Sequence, residues 1–306
     1  MWRLQLSRLV TLLILTWLFF WIWQQRTIFQ QILQQMRWQK TILLSLLLML
    51  SVFLSALSFT SLVRGVGYRF RLSEGYHSLN LSQIAAMVPG KVWGFAGLAG
   101  LLWSKGISKG NSVLIITLHT VLMLSAAALT GSVGFVSLMG WQYTLLALLP
   151  IIGLVIGRDW LEKLWQRYSG QSSELPPPST LIWILILGCS SWILTSGSFA
   201  LLVYEVVGEW VVSPWLLAST FAAGYVVGYI SLITPAGLGV REGVISLILA
   251  PTLGQEQALG LALVFRVLHM SILWLNILVT LVIVSFGSPF NKDGEQQLEI
   301  KKVADK

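Results

Sequence analysis

The stretch Ile233-Thr234-Pro235-Ala236-Gly237-Leu238-Gly239-Val240-Arg241-Glu242 interrupts an apolar run that extends from 216 to 250. A second interruption, Met87-Val88-Pro89-Gly90-Lys91-Val92-Trp93-Gly94, breaks the run from 80 to 103. Proline removes a backbone donor and glycine weakens a helix, so neither run continues as one helix. Each is expected to turn back on itself, with Pro89, Gly90, Pro235, Gly237 and Gly239 as the residues that break the hairpins.

The surroundings of these breaks are apolar. Of 306 residues, 56% are hydrophobic and 10% charged, and the mean hydropathy is +0.78. A soluble domain carries roughly a quarter of its residues as charges, so no sizeable water-facing catalytic domain fits and most enzyme classes are excluded. A spanning helix needs about 20 mainly apolar residues. Five runs meet or approach this: 41–63, 112–133, 143–157, 180–204 and 257–286. A sixth, 9–23, follows Arg3 and Arg8 and lacks a small-residue cleavage site, so it reads as an uncleaved first span. The fold class is an all-α polytopic membrane protein of about six spans plus two re-entrant hairpins. In lipid, irregular backbone is tolerated only where protein or a watery cavity covers it, which predicts a cavity at each break. The chain divides into a first span with an amphipathic segment (1–40), a first repeat unit plus a connecting span (41–157), a linker (158–179), a second repeat unit (180–287) and a polar tail (288–306).

The net charge is +8, from 20 Lys plus Arg against 12 Asp plus Glu. The basic residues sit at the ends of apolar runs, where they favour the cytoplasmic side and anionic lipid headgroups rather than nucleic acid. The linker, with Arg158, Lys163, Arg167 and the prolines at 176–178, is expected in the cytoplasm. So is the tail, with Lys292, Lys301, Lys302 and Lys306; it is short, polar and expected to carry no soluble catalytic domain. The loops at 134–142 and 205–215, the latter with only Glu205 and Glu209, are expected outside. The segment 24–40 would then also lie outside despite Arg26, Arg37 and Lys40. Its Ile28, Ile32, Leu33 and Met36 fall at helical spacing, which predicts an amphipathic surface helix. Trp21, Trp23, Trp38, Trp103, Trp141, Trp160, Trp210 and Trp215 suit interfacial belts. The single cysteine, Cys189, lies in an apolar run as a packing residue; no disulfide, metal site or cofactor is expected.

The chain also matches itself. Ser58-Phe59 with Leu62-Val63 corresponds to Ser198-Phe199 with Leu202-Val203, Pro89 to Pro235, and Gly106 to Gly254. Each unit reads as span, hairpin, span. The first enters its hairpin between loops holding Arg64, Arg69, Arg71, Lys105 and Lys109, and the second enters from the opposite side. Broken helices in corresponding halves of an inverted repeat point to a transport site near the midplane.

A charge at membrane depth costs roughly 2.5 to 3.5 kcal/mol on insertion scales, so the candidates are Lys91, Arg241, Glu242, Arg266, His119 and His269. Arg266 is the expected partner of Glu242, because Arg241 is adjacent in sequence and points elsewhere. That pair either fixes hairpin against span or offers its arginine to a headgroup phosphate. Lys91 either snorkels or meets an anion near free backbone N–H groups. The histidines read as hydrogen-bonded core residues or as proton relays. Gly94, Gly97 and Gly100, with Gly224 and Gly228, suit close helix packing. No Walker loop, nucleophile elbow or pair of catalytic carboxylates occurs, so an ATP-driven mechanism within this chain is not expected.

Tyr229 to Leu249 (YISLITPAGLGVREGVISLIL) and Met87 to Gly106 (MVPGKVWGFAGLAGLLWSKG) resemble the transmembrane region of lysylphosphatidylglycerol synthases and its stand-alone flippase-like relatives, over about 41–286. Pro235, Gly237, Gly239 and Glu242 match the family's Pro-x-Gly-x-Gly-x-x-Glu signature. The resemblance implies translocation of anionic or modified phospholipids, or of polyprenyl-linked lipids, between leaflets of the bacterial plasma membrane. The aminoacyl-transfer domain of the full synthases is not expected here. The residues place a headgroup among Lys91, Arg241, Glu242, Arg266 and His119. The expected partners are membrane lipid, a lipid-modifying or glycosyltransferase enzyme, and a second copy in a homodimer. The alternative role is a non-catalytic scaffold for such an enzyme.

Overall fold

The computed structural model describes residues 26–86, 92–134, 156–169, 175–231 and 239–286, with isolated positions at 141, 145, 148, 152, 153 and 237. Among these the chain is helical: α1 (Arg26–Gln35), α2 (Trp38–Gly65), α3 (Leu72–Ala86), α4 (Val92–Ser104), α5 (Lys109–Val133), α6 (Arg158–Ser169), α7 (Pro178–Val207), α8 (Pro214–Ile230), α9 (Val240–Leu253) and α10 (Gln255–Phe286). Four of them, α2, α5, α7 and α10, are long and apolar enough to cross a membrane. The expected spans at 9–23 and most of 143–157 lie outside the described residues, as do Pro89, Gly90, Lys91 and Pro235.

Helix ends follow local chemistry. Ser108 accepts the Asn111 N–H at 3.2 Å ahead of α5, and Ser213 does the same for Leu216 ahead of α8, each satisfying a donor that a helix start leaves open. Pro178 and Pro214 stand in the first turns of α7 and α8, where a missing N–H costs nothing. The α4–α5 and α9–α10 turns both pivot on a glycine with φ +81, Gly106 and Gly254.

The central pair is α2 against α7, antiparallel along its length. At one end the Arg37 N–H donates to Glu205. Midway the Ser191 hydroxyl donates to the Ser51 carbonyl at 2.9 Å, and at the far end Gly65 meets Thr180. Ser58, Phe59, Leu62 and Val63 of α2 are fully buried, and so are their counterparts Ser198, Phe199, Leu202 and Val203 of α7.

Exchanging α2, α3, α4 and α5 for α7, α8, α9 and α10 reproduces the packing partners. The α3–α4 contact becomes α8–α9, α5–α8 becomes α10–α3, and α5–α7 becomes α10–α2. The relation extends to the amphipathic helices, since α1 packs on α10 as α6 packs on α5. In each pair of short helices a glycine allows close approach: a Cβ on Gly97 would stand 2.8 Å from Ala85, and one on Gly224 2.9 Å from Ile245. Gly100, by contrast, faces open space, so it is not a packing site.

The two pairs of short helices are rooted at opposite ends of the bundle. At one end the turns around 66–71 and 105–108 meet the linker: Lys105 pairs with Glu74 at 2.9 Å, Arg158 donates to the Pro176 carbonyl, and Phe70, Ile107, Trp165 and Leu175 share one core. At the other end lie Arg37, Gly208 and Gly254. The first end gathers Arg64, Arg69, Arg71, Lys105, Lys109, Arg158, Lys163 and Arg167.

Three boundaries differ from the sequence reading. Glu205 belongs to α7 and is buried, not in an outer loop; its carboxylate caps the start of α2, which has no side-chain cap of its own. The segment 24–40 is not one helix, because α1 ends at Gln35 and Trp38–Lys40 open α2. The first broken pair starts at Leu72 rather than near 80. Its leading helix carries Glu74, Tyr76, His77 and Asn80, and hydropathy does not register a polar helix buried by neighbouring spans.

The end-to-end arrangement makes a topological prediction. In a Cys189→Ser background, cysteines at Arg71 and Lys105 should react with an impermeant thiol reagent from one face of the membrane, and cysteines at Glu209 and Glu256 from the other. Reaction of all four from one face would contradict the opposed pairs.

Candidate functional site

The backbone around the second break brings three charged side chains together. Gly237 and Gly239 have φ values of +69 and +80, a region open to glycine at little cost, and they swing the chain into the start of α9. There Glu242 accepts the Gly239 N–H at 2.9 Å, so the acidic side chain caps its own helix and meets the positive end of the dipole. Arg266 of α10 donates to the other carboxylate oxygen. Glu242 is 2% exposed; the ion pair and the cap together satisfy a charge that burial would otherwise make costly.

Arg241, next in sequence, takes a different environment. Its guanidinium carbon lies 4.1 Å from the centroid of the Phe221 ring and 5.3 Å from that of Tyr225, within cation–π range. It is 8% exposed, and its Nη2 is buried without a hydrogen-bond partner among the described residues. The aromatic platform comes from α8, whose Phe221, Tyr225 and Tyr229 recur at four-residue intervals and so share one face. Tyr225 and Tyr229 stack at 6.2 Å. Trp192 meets Tyr225 edge-on and is oriented by its indole N–H, which donates to the Met123 carbonyl at 3.0 Å.

Small residues make this approach possible. A Cβ on Gly228 would lie 3.1 Å from that of Arg241, and one on Gly237 would lie 2.8 Å from the Gly228 carbonyl oxygen. The break therefore seats directly against α8.

The structure thus unites Arg241, Glu242 and Arg266, with Gly237 and Gly239 shaping the turn. Two arginines against one carboxylate leave the cluster with one positive charge in excess. His119 stands elsewhere, against Phe59 at 5.1 Å between ring centroids. Its Nε2 is in hydrogen-bond contact with the Ser58 hydroxyl at 3.0 Å, and that hydroxyl also lies 2.8 Å from the Ser55 carbonyl. His119 is thus a buried, hydrogen-bonded residue of α5. His269 lies on α10 with its ring 6.1 Å from Phe265.

Two features escaped sequence reading. The signal of the aromatic platform in the sequence is the i, i+4 stripe Phe221, Tyr225 and Tyr229. The second feature is a polar seam between α3 and α10: Tyr76 donates to Asn276, Asn80 to Thr280 at 3.3 Å, and Asn276 back to the Ile272 carbonyl at 2.7 Å. Its signal was a pair of i, i+4 polar residues on each helix, Tyr76 with Asn80 and Asn276 with Thr280.

Long apolar helices around a buried, charged break define an integral membrane protein with polar chemistry in its interior. The chain belongs to the family of the lysylphosphatidylglycerol synthase TM region, whose sequence profile matches residues 6–279. No curated protein matches it.

Two substitutions test this geometry. Glu242→Gln keeps the shape and a cap acceptor but leaves Arg266 without its counter-charge, and should cost about 3 to 5 kcal/mol, read as a lowered unfolding temperature in detergent. Gly237→Ala strains a left-handed residue against α8 and should also lower it, while Gly100→Ala, with open space around it, should not.

Proposed function

We propose that this protein moves the headgroup of an anionic phospholipid or a polyprenyl-linked lipid between the leaflets of a bilayer, and that it does so without catalysing a reaction. The observation that carries the reading is the buried Nη2 of Arg241, which has no hydrogen-bond partner among the described residues. Glu242 is held by Arg266 and by the Gly239 N–H, so it does not consume the charge of Arg241. The ring faces of Phe221 and Tyr225 hold the guanidinium plane, and its free edge suits an oxyanion. A phosphate oxygen there gains a charge-assisted hydrogen bond that water does not supply at this depth, while the hydrocarbon chains stay in lipid.

In this reading α3–α4 and α8–α9 are re-entrant pairs of an inverted repeat, with about six spans in all once 9–23 and 143–157 are included. The basic end and the tail after Pro289 face the cytoplasm of a bacterial cell, following the bias of Lys and Arg, and the membrane is the plasma membrane. The headgroup passes through the interior along the charged cluster; Lys91, a further cation expected from the sequence to bind it, lies outside the described residues. Its partners are membrane lipid, a lipid-modifying or glycosyltransferase enzyme, and a second copy of the chain.

Liposomes containing only the purified protein provide the test. Fluorescent phosphatidylglycerol or a polyprenyl phosphate should redistribute, and a lysylated lipid should move more slowly. Arg241→Gln should lower the rate about tenfold or more, in line with loss of a hydrogen bond to a charged group. Arg241→Lys, which keeps charge but loses the planar fork, should also impair it. Faster movement of the lysylated lipid would refute the anion-selective site. Absence of movement for any lipid would favour the scaffold role.

A further inference from the structure

At the end opposite the basic one, α1 and the α9–α10 turn border an open groove of about 470 Å³, within the volume range of small-molecule sites. Its floor is aliphatic, formed by Ile32, 2% exposed, and the half-buried Leu253. Its rim carries four carboxamides: Gln31 and Gln35, one turn apart on α1, and Gln255 and Gln257 at the start of α10. Glu256 also lines it, and no Lys or Arg does among the described residues.

A carboxamide both donates and accepts hydrogen bonds. Four of them around an aliphatic floor match a group of hydroxyls carried on a C–H framework, and the carboxylate of Glu256 disfavours phosphate. The repeat-equivalent position at the other end sharpens the contrast. There α6 packs on α5, which follows the turn at Gly106, and Lys105 and Lys109 flank that turn. Lysines thus flank the turn at one end, whereas carboxamides border the turn at the other.

We propose that this groove binds an uncharged polyhydroxylated group, a sugar or glycerol unit, either free or as a lipid headgroup. It lies about 16 Å along α10 from Arg266, measured from Gln255 at the helical rise per residue. It is therefore a site apart from the charged cluster, and it stands whether or not that cluster moves lipid.

The experiment uses the full chain in nanodiscs free of glycoside detergent, with empty nanodiscs as the blank. Saturation-transfer NMR titrations follow maltose, octyl maltoside and octyl phosphate. At least one sugar probe should bind saturably, and the double substitution Gln31→Ala with Gln35→Ala should weaken it about fivefold or more, as expected for two lost hydrogen bonds. Both glutamines are exposed, so an unchanged unfolding temperature should accompany the loss. Binding of octyl maltoside without maltose assigns a lipid-borne group, and equal binding of the two assigns a free one. Preferential binding of octyl phosphate, absence of saturable sugar binding, or sugar binding indifferent to the glutamine substitutions overturns the proposal. Lipid redistribution by the wild-type protein is a separate readout, so failure here and failure of the translocation reading are distinguishable.

Discussion

The carboxylate of Glu242 ties the second half of the molecule together. It caps α9 through the Gly239 N–H and receives Arg266 from α10, so one buried group fixes the start of a short helix against a spanning one. The positive-φ glycines before it let the chain reach that point. Without the pairing, a charge at 2% exposure and a free helix start would both stand in an apolar interior, each at a cost of several kcal/mol. The interaction also decides the fate of Arg241. Because Glu242 is already satisfied, Arg241 turns to the aromatic face of α8, and its Nη2 has no hydrogen-bond partner among the described residues. Structural satisfaction at one residue creates chemical availability at its neighbour.

The two-fold relation of the units does not carry this chemistry across. The units share packing partners, fully buried Ser-Phe and Leu-Val pairs and turns on Gly106 and Gly254. Yet Phe59 faces His119, whereas Phe199 faces Phe265, beside Arg266. The first short pair is braced at its root by Lys105 and Glu74 and along α10 by neutral amides and hydroxyls. The second is braced at its inner end by an ion pair. A repeated framework fixes where the turns fall, and the side chains then differentiate the two halves.

Stability of the bundle rests on the α2–α7 pair, which is bound at both ends and at its middle. The cap from Glu205 is informative here. A helix that starts with Arg37 and Trp38 has no local acceptor for its first N–H groups, and the antiparallel partner supplies one from its last turns. The same contact holds the start of α2 near the groove under α1.

By itself the sequence determined the class, the breaks and the pairing partner. Apolar length, the Pro and Gly punctuation at 87–94 and 233–242, and the rarity of intramembrane charge leave few solutions, since lipid offers no alternative partner for backbone or for Glu242. The self-match at Ser58 and Ser198 was legible for the same reason: fully buried positions restrict their side chains. Tertiary structure alone decided which face of α8 receives Arg241, that Glu205 sits inside α7, and that Tyr76, Asn80, Asn276 and Thr280 form one seam. Those facts depend on contacts between segments far apart in sequence. Hydropathy registers how apolar a helix is, but not which polar atoms its neighbours will cover.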